Sequence, residues 1–470
     1  MAENYTPIDE IPKIRERVFS AFATNRSRDV AFRKTQLLQM AYLLQDNLPR
    51  FEEAMKADLG RNHYETAALE MSGLFKEALI AYDKVEQWAA PEGVPFNLKT
   101  SLLKGRVVKD PQGVVLVIGP YNYPVWCLLT PLIGAIAAGC GAVIKPSEIV
   151  PHVQDLIAEL IPKYLDPELY QVVTADIPGT TKLLELQWDH IMYTGNGTVG
   201  RIVATAAAKH LTPVSLELGG KSPVIVDGTA DLAITARRVM WAKVCNAGQV
   251  CIAPDYVLVT DGRQEELVEA FKTAFKTLFP EGVDPSDFPH VPLTRHFDRI
   301  TKQLADSKGT IVFGGKSDRS TLFIEPTLVK DVKAGDSLML DEIFGPILPI
   351  MPVKDVQAAV DYINAHDRPL MLHNFTTSEK VKRFVEANTF SGMYAINDLF
   401  LNTTIEGLPM SGTGASGYGA HKDKAGFDSF THRRSTFESP SWIDYVMFVR
   451  FHPFTVRPSF PLSNFSPSQS

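Results

Sequence analysis

The sequence predicts an α/β protein built on two open, largely parallel sheets, and three observations lead there. From Val114 onward short apolar runs alternate with helical stretches, the form that βαβ units take when a parallel sheet is buried on both faces. A second series of the same grammar starts at Val224. The chain has 470 residues, 45% of them hydrophobic, which is enough to fill more than one core.

Taken in order, Ile11, Ile14, Val18 and Phe22 recur at helical spacing, as do Phe32, Leu37, Leu38, Ala41 and Leu44. The first ninety residues therefore read as helices. Pro91 and Pro95 end that regime, and a strand-like segment follows around Leu98 to Val108, kept partly solvated by Lys104, Arg106 and Lys109. Strands are expected at 114–118, 142–145, 171–174, 190–193 and 224–227, with helices near 131–139, 152–162 and 199–210. In the second series the strands are 255–260, 347–352, 370–374 and 393–396. Helices near 264–277, 295–305, 355–364 and 378–387 separate them, and the junction of the two series falls near residue 218. Beyond 407 glycine, serine and charge dominate, predicting a flexible or tightly turning segment rather than a helix. The apolar tail at 442–454 is broken by Arg450 and His452. Packing on the body or on a subunit is its plainer reading, and a peripheral membrane contact the alternative.

Composition narrows the class. With 47 basic and 54 acidic residues the net charge is −7, which gives no support for a nucleic-acid surface. Four cysteines, at 127, 140, 245 and 251, are too few for a disulfide scaffold and form no closely spaced zinc-ligand pairs. No metal site and a reducing, cytoplasmic setting are the expectations. The polar N-terminus lacks a signal-peptide core, and no apolar run reaches the roughly eighteen residues of a membrane span.

Gly195, Gly197 and Gly200 form a GxGxxG motif that follows an apolar strand and opens a helix, where backbone N–H groups can face a phosphate. Glu217 stands about twenty residues later, the place of a ribose-binding acid in an ordinary dinucleotide fold. Yet the motif follows several strands instead of opening the first βαβ unit, so nucleotide proximity is expected here and the ribose role for Glu217 is not. Strand 142–145 runs into Lys145-Pro146-Ser147-Glu148. At a strand's carboxyl end Lys145 and Glu148 can contact ribose or phosphate, although each alone reads equally as half of a surface ion pair.

Cys251 closes the run Asn246-Ala247-Gly248-Gln249-Val250. A thiol beyond a glycine turn is open to a small carbonyl, but an inert buried cysteine is an equal reading. Cys127, Cys140 and Cys245 sit in apolar surroundings and read as core.

The stretch Leu216-Glu217-Leu218-Gly219-Gly220-Lys221-Ser222-Pro223, with Cys251 following 34 residues after its glutamate, closely resembles the aldehyde dehydrogenase superfamily. Matching pieces stand in family order: Gly119-Pro120-Tyr121-Asn122-Tyr123-Pro124, then Lys145 to Glu148, then Asp341-Glu342-Ile343-Phe344-Gly345-Pro346. The short N-terminus and the run Asn246 to Tyr256 look like the class 3, or fatty aldehyde dehydrogenase, branch. The likeness covers about residues 10 to 440.

It implies an aldehyde dehydrogenase-like fold of two Rossmann-like open-sheet domains plus a bridging or oligomerisation extension. Residues 1–90 with 113–217 would bind the cofactor, NAD or NADP, and 218–406 would be the catalytic domain. Residues 91–112 with 407–440 would bridge subunits of a homodimer, leaving 441–470 as the tail. The implied nucleophile is Cys251, the water-activating base Glu217, and the oxyanion donors Asn122 and the Cys251 N–H. Glu342 would bind the nicotinamide ribose and Phe344 pack near the nicotinamide. Gly195 and Asn196, the latter in place of the family's usual serine, would lie near the cofactor, with Val199 on the adenine side.

Departures cluster around substrate recognition. Tyr121 stands where relatives often have tryptophan, and Met410 where they have phenylalanine, so both are candidate substrate-binding residues. Ser411, His421, Lys422 and Asp423 replace glycine, tyrosine, histidine and glycine. His421 reads as a loop hydrogen-bonding residue, not as a metal ligand or general base. An apolar aldehyde, whether medium- or long-chain, aromatic or apocarotenoid, is the expected substrate class. Two alternatives stand beside this reading: a dehydrogenase that passes its thioester to coenzyme A, and a catalytically silent binding or structural protein with this fold. Glu217 argues against the first, and the joint presence of Cys251, Glu217 and Asn122 against the second.

Overall fold

The computed structural model describes residues 5–97, 101–445 and 450–452. Helices Ile11–Ala23, Val30–Asp46, Leu48–Leu59 and Ser72–Ala89 fill the start of the chain. Asp29 caps the second of these by accepting from the Ala31 N–H, satisfying one of the donors a helix start leaves unpaired.

The first sheet contains β1 (Val114–Ile118), β2 (Gly141–Lys145), β3 (Tyr170–Val172), β4 (His190–Gly195) and β5 (Val214–Leu218). These five are parallel and lie in the spatial order β5-β4-β1-β2-β3. Both faces are covered. Val115, Val117, Ala142 and Ile144 pack into a core with the N-terminal helices, whereas Val114, Leu116, Ile118 and Val143 pack on the opposite side with Val203 and Leu218. That two-sided burial is why these strands read as unbroken apolar runs instead of alternating ones.

The second sheet contains β6 (Pro223–Val226), β7 (Tyr256–Val259), β8 (Thr310–Phe313), β9 (Thr327–Lys330), β10 (Ile347–Pro352), β11 (Met371–Phe375) and β12 (Met393–Ile396). Their order is β8-β9-β10-β7-β6-β11-β12, and only the β8–β9 pair is antiparallel. The chain passes from one sheet to the other directly, between Leu218 and Pro223. The two Rossmann-like α/β sheets expected from the sequence are therefore present.

Three strands escape a search for apolar runs: β5 carries Ser215 and Glu217, while β8 and β9 begin on threonines and lie at or next to a sheet edge. Helices Ile177–Glu185 and Leu232–Val244 are also additional, the second with Arg237 and Arg238 at its middle. Around 98–108 the expected strand starts late. A 3₁₀ turn at Ser101–Leu103 and a positive φ of 45° at Lys104 delay it to Arg106–Pro111, and residues 98–100 lie outside those described. The glycine-rich segment after 407 does turn tightly, but it also contains a short helix, Asp423–Ser429. A sixth strand of the first sheet, β13 (Gly417–Tyr418), adds antiparallel to β5 at its edge.

Contact density groups Met1–Ala89 with Pro111–His432, and separately Ala90–Asp110 with Arg433 onward. The smaller unit carries a three-stranded sheet of Glu92–Gly93, Arg106–Pro111 and Thr431–Thr436. Glu92 pairs there with Lys109 at 2.7 Å and with Arg433, and the two cations hold its carboxyl down at about 2. Among the described residues no helix is long and apolar enough to cross a membrane. Much of the apolar tail at 442–454 lies outside the described residues.

Candidate active site

The loop bearing Cys251 is unusual in its backbone. Asn246, Ala247 and Gly248 take positive φ values of 48°, 51° and 73° in succession. A Cβ on Gly248 would stand 2.3 Å from the Gly345 carbonyl oxygen, so only glycine fits. Left-handed non-glycine residues persist where surrounding contacts over-determine them, and a buried polar network does so here. The Asn246 side-chain amide donates to the Asn122 carbonyl at 2.9 Å and to the Gln249 carbonyl at 3.1 Å. Arg61, only 1% exposed, donates to the Asn122 carbonyl, to Asn246 Oδ1 and to Glu70. Glu70 in turn accepts from the Val125 and Trp126 N–H groups at 2.8 and 2.9 Å. The loop after β1, which holds Asn122, is thereby tied to the loop that holds Cys251. The Asn122 side chain itself donates to the Gln249 carbonyl at 3.0 Å.

Cys251 is partly exposed, while the other three cysteines are buried, in keeping with their reading as core. Burial of its thiol group, with Glu217 and Glu342 nearby, pushes the Cys251 pKa well above the usual thiol range. Burial lifts both of those carboxyl groups to about 8. Glu217 sits on β5, paired in register with Thr194 on one side and Gly417 on the other, and its Oε1 has no hydrogen-bond partner. A carboxyl that titrates near neutrality beside a thiol can remove a proton from that thiol or from a water molecule. Apolar groups complete the surroundings. Cys251 packs with Val250, Ile252, Leu370, Met371 and Met410, and Tyr123, Trp126, Met393 and Phe400 border the same cluster.

The strand order places a second set of residues at the carboxyl edge of the first sheet. The order in which strands are added reverses between the parallel neighbours β1 and β4, whose ends are aligned as Ile118 with Tyr193, and ligands bind open α/β sheets at such a switch point. Gly195 ends β4, and Asn196 caps the twelve-residue helix Gly197–Ala208 by accepting from the Val199 N–H at 3.0 Å. The Asn196 amide oxygen is thus already engaged with the helix, leaving its NH₂ as the group able to meet a phosphate. Lys145, at the end of β2, is buried and paired with Glu148. The Tyr193 hydroxyl lies beneath Gly195, where a Cβ would stand 2.2 Å from it. Glu342 reaches the linker between the sheets. A Cβ on Gly219 would stand 2.3 Å from its carboxylate. Arg299 fixes that loop through the Glu342 and Ile343 carbonyls at 3.0 and 2.8 Å. Phe344, at a φ of 49°, meets Tyr121 edge-on with ring centroids 6.1 Å apart. Crossover point, capped helix, glycine clearances and carboxylate together fit a dinucleotide.

The family model for the aldehyde dehydrogenase family matches residues 8–436. The chain belongs to the aldehyde dehydrogenase family. Among its relatives, this aldehyde dehydrogenase is 40% identical over 452 residues to the beta-apo-4'-carotenal oxygenase of Neurospora crassa, covering 96% of this chain and 85% of that one. It is 40% identical over 428 residues to the dimeric NADP-preferring aldehyde dehydrogenase of Rattus norvegicus, covering 91% and 93%. The substrate-bound Staphylococcus aureus AldH structure superposes with a TM-score of 0.89 at 35% identity, covering 94% of this chain and 98% of that one. Relatives of the class 3 branch recur at 38–41% identity, which places the enzyme with that branch. It is an NAD(P)-dependent oxidoreductase that converts aldehydes to carboxylic acids.

Of the residues singled out in the sequence, Cys251, Glu217, Glu342 and Met410 gather around the thiol, with Asn122 linked through Gln249. Tyr121 and Phe344 pair beside them, and Lys145, Glu148, Gly195, Asn196 and Val199 lie along the sheet edge. Arg61, Asn246, Trp126 and Tyr193 gave no sequence signal of their own. An arginine among helices reads as solvated, and the aromatics read as core.

Proposed function

We propose that this aldehyde dehydrogenase oxidises an apolar aldehyde through a covalent bond to Cys251, with Glu217 activating the water that releases the acid. The observation that carries the reading is the thiol's position: it lies within electrostatic reach of a buried carboxyl near neutrality, at the wall of an apolar, methionine-rich cluster.

In this scheme the Cys251 thiol loses its proton to solvent, and the thiolate adds to the aldehyde carbon. The Cys251 N–H and the Asn122 amide, turned from Gln249, donate to the oxygen that gains charge. A nicotinamide cofactor held by the residues named below would supply the hydride acceptor that the thioester level of oxidation requires. Glu217 then takes a proton from water as it adds to the thioester carbon, and breaking of the C–S bond returns the thiolate. The residues proposed to hold the cofactor are Lys145, Glu148, Gly195, Asn196, Val199, Glu342 and Phe344. Most of these fall in 1–90 with 113–217, the proposed cofactor-binding domain, while Glu342 and Phe344 belong to 218–406, the proposed catalytic domain.

Met371 and Met410, in the cluster Cys251 packs against, and Met393 at its border give that cluster flexible, polarisable side chains suited to long or conjugated chains. The relative named beta-apo-4'-carotenal oxygenase agrees with that class. The test is turnover of short, long-chain, aromatic and apocarotenoid aldehydes with each cofactor, alongside Cys251→Ser. Carboxylate release without coenzyme A, strongest for apolar aldehydes and lost in the variant, is expected. A variant with undiminished turnover would overturn the nucleophile.

A further inference from the structure

Beside Glu217 stands a second buried titratable group that the scheme above leaves unused. His421 is 3% exposed, and neither of its ring nitrogens has a hydrogen-bond partner. Its Nε2 lies 3.9 Å from Glu217 Oε2, just beyond hydrogen-bond reach. A buried imidazole with both nitrogens unpaired beside a buried carboxyl is an expensive arrangement for a purely structural position, which phenylalanine would fill without that cost.

The backbone delivers this juxtaposition. Gly417 pairs with Glu217, and the chain then turns back so that His421 pairs with Met410. The imidazole rests edge-to-face on Trp126, ring centroids 5.6 Å apart. Lys422 and Asp423 follow at positive φ, 79° and 49°. Their charges are committed elsewhere: the Lys422 amine donates to the Ile405 carbonyl at 2.6 Å and to Asp423 at 3.0 Å, and the Asp423 carboxylate also accepts from the Gly407 N–H, while the Asp423 backbone N–H donates to the buried Glu77. On the Glu217 side the titratable neighbours are Cys251 and the buried Cys127. Burial, with Lys422 adding to it, depresses the His421 pKa to about 4, so the ring is neutral at physiological pH and carries one N–H to donate.

We propose that His421 is a positioning residue for Glu217, its neutral imidazole donating Nε2–H to Oε2 as the carboxylate forms and leaving Oε1 free for the water proton. This rests on the reading of Glu217 as the base. A closure of about 1 Å makes the bond. Because the donor favours the ionised form, it lowers the pH at which the base becomes available.

The experiment follows kcat against pH with a saturating medium-chain aldehyde and NAD, together with the pre-steady-state burst of NADH. His421→Phe keeps an aromatic ring and removes the donor. The expected result is a retained burst, an unchanged KM and an ascending limb of kcat displaced upward by roughly one unit, hence roughly tenfold slower turnover below the limb. His421→Gln, whose amide reaches the same position, should restore the limb. His421→Asn, too short to reach, makes the same test if the ring variant does not fold. A His421→Phe or His421→Asn limb that coincides with the parent's, or a glutamine variant as impaired as the others, overturns the proposal. Glu217→Gln run in parallel separates the two readings. If it deacylates normally the base assignment fails, whereas if it stalls while the His421 variants behave as the parent, only the positioning role fails.

Discussion

A carboxyl buried with no partner on one oxygen loses the hydration its ionised form needs, and Glu217 accordingly titrates at about 8 instead of 4.5. A base must be ionised to act, so turnover should climb with pH along a limb that burial alone would set at about 8 and the His421 donor displaces downward. Glu217→Gln should keep the NADH burst and lose about 10²- to 10⁴-fold in steady-state kcat, with acyl-enzyme visible by intact mass. The same shift governs stability. The folded chain holds a proton that the unfolded chain releases at 4.5, so the contribution of Glu217, complete below 4.5, is lost as pH rises through about 8. Glutamine has no such titration. The melting temperature of Glu217→Gln relative to the parent should therefore rise from pH 4.5 to 8, and a difference independent of pH would contradict the burial argument. Asn122→Ala, by contrast, removes one donor to a developing oxyanion and should slow acylation by about 10²- to 10³-fold, read as a smaller or slower burst.

At the scale of elements, the turn Cys245–Gly248 shows how much structure serves one thiol. Gly248→Ala places a methyl against the Gly345 carbonyl and holds alanine at a φ of 73°, a conformation that costs about 1–2 kcal/mol before the clash is counted. A lowered melting temperature with loss of most Cys251 acylation is expected, measured by calorimetry and by the NADH burst; parent-like values in both would contradict that geometry. Legibility in the sequence followed the same physics. Strands 114–118, 347–352 and 393–396 are matched to the residue because bulky apolar side chains dominate them. The strand bearing Glu217 is hidden because its charge is buried by tertiary contacts that a linear pattern does not contain. At the site, Cys251, Glu217 and Asn122 were legible through ordered motifs. Arg61 and Asn246 were not, since their role depends on contacts with Asn122 across 61 and 124 residues of chain. His421 was visible as a departure, but its approach to Glu217 arises from the pairing of Met410 with His421.

For the whole molecule, the smaller unit is where the surface departs most from that of an isolated soluble domain. It exposes Val94, Phe96, Leu102, Phe437, Trp442 and Tyr445, with Phe96 at 82% and Phe437 at 70%. Large apolar side chains concentrated on one small unit lose solvation free energy until something covers them, and a second copy of the same unit is the simplest self-complementary cover. Its sheet ends on Thr431–Thr436, an edge strand whose exposed Arg433 and Arg434 resist uncontrolled addition of further strands. We therefore expect a homodimer formed through residues 90–110 and 433 onward. Light scattering should give twice the chain mass. Phe96→Asp combined with Phe437→Asp should bring that to a single chain, since burying two unpaired carboxylates in an apolar interface is strongly unfavourable. A double variant that still scatters as a dimer would move the interface elsewhere. The monomer's residual kcat then tells whether the Cys251 site, whose named residues lie in the larger unit, works without a partner. Its polar network through Arg61, Asn122 and Asn246 closes within one chain, so the monomer should still form the thioester.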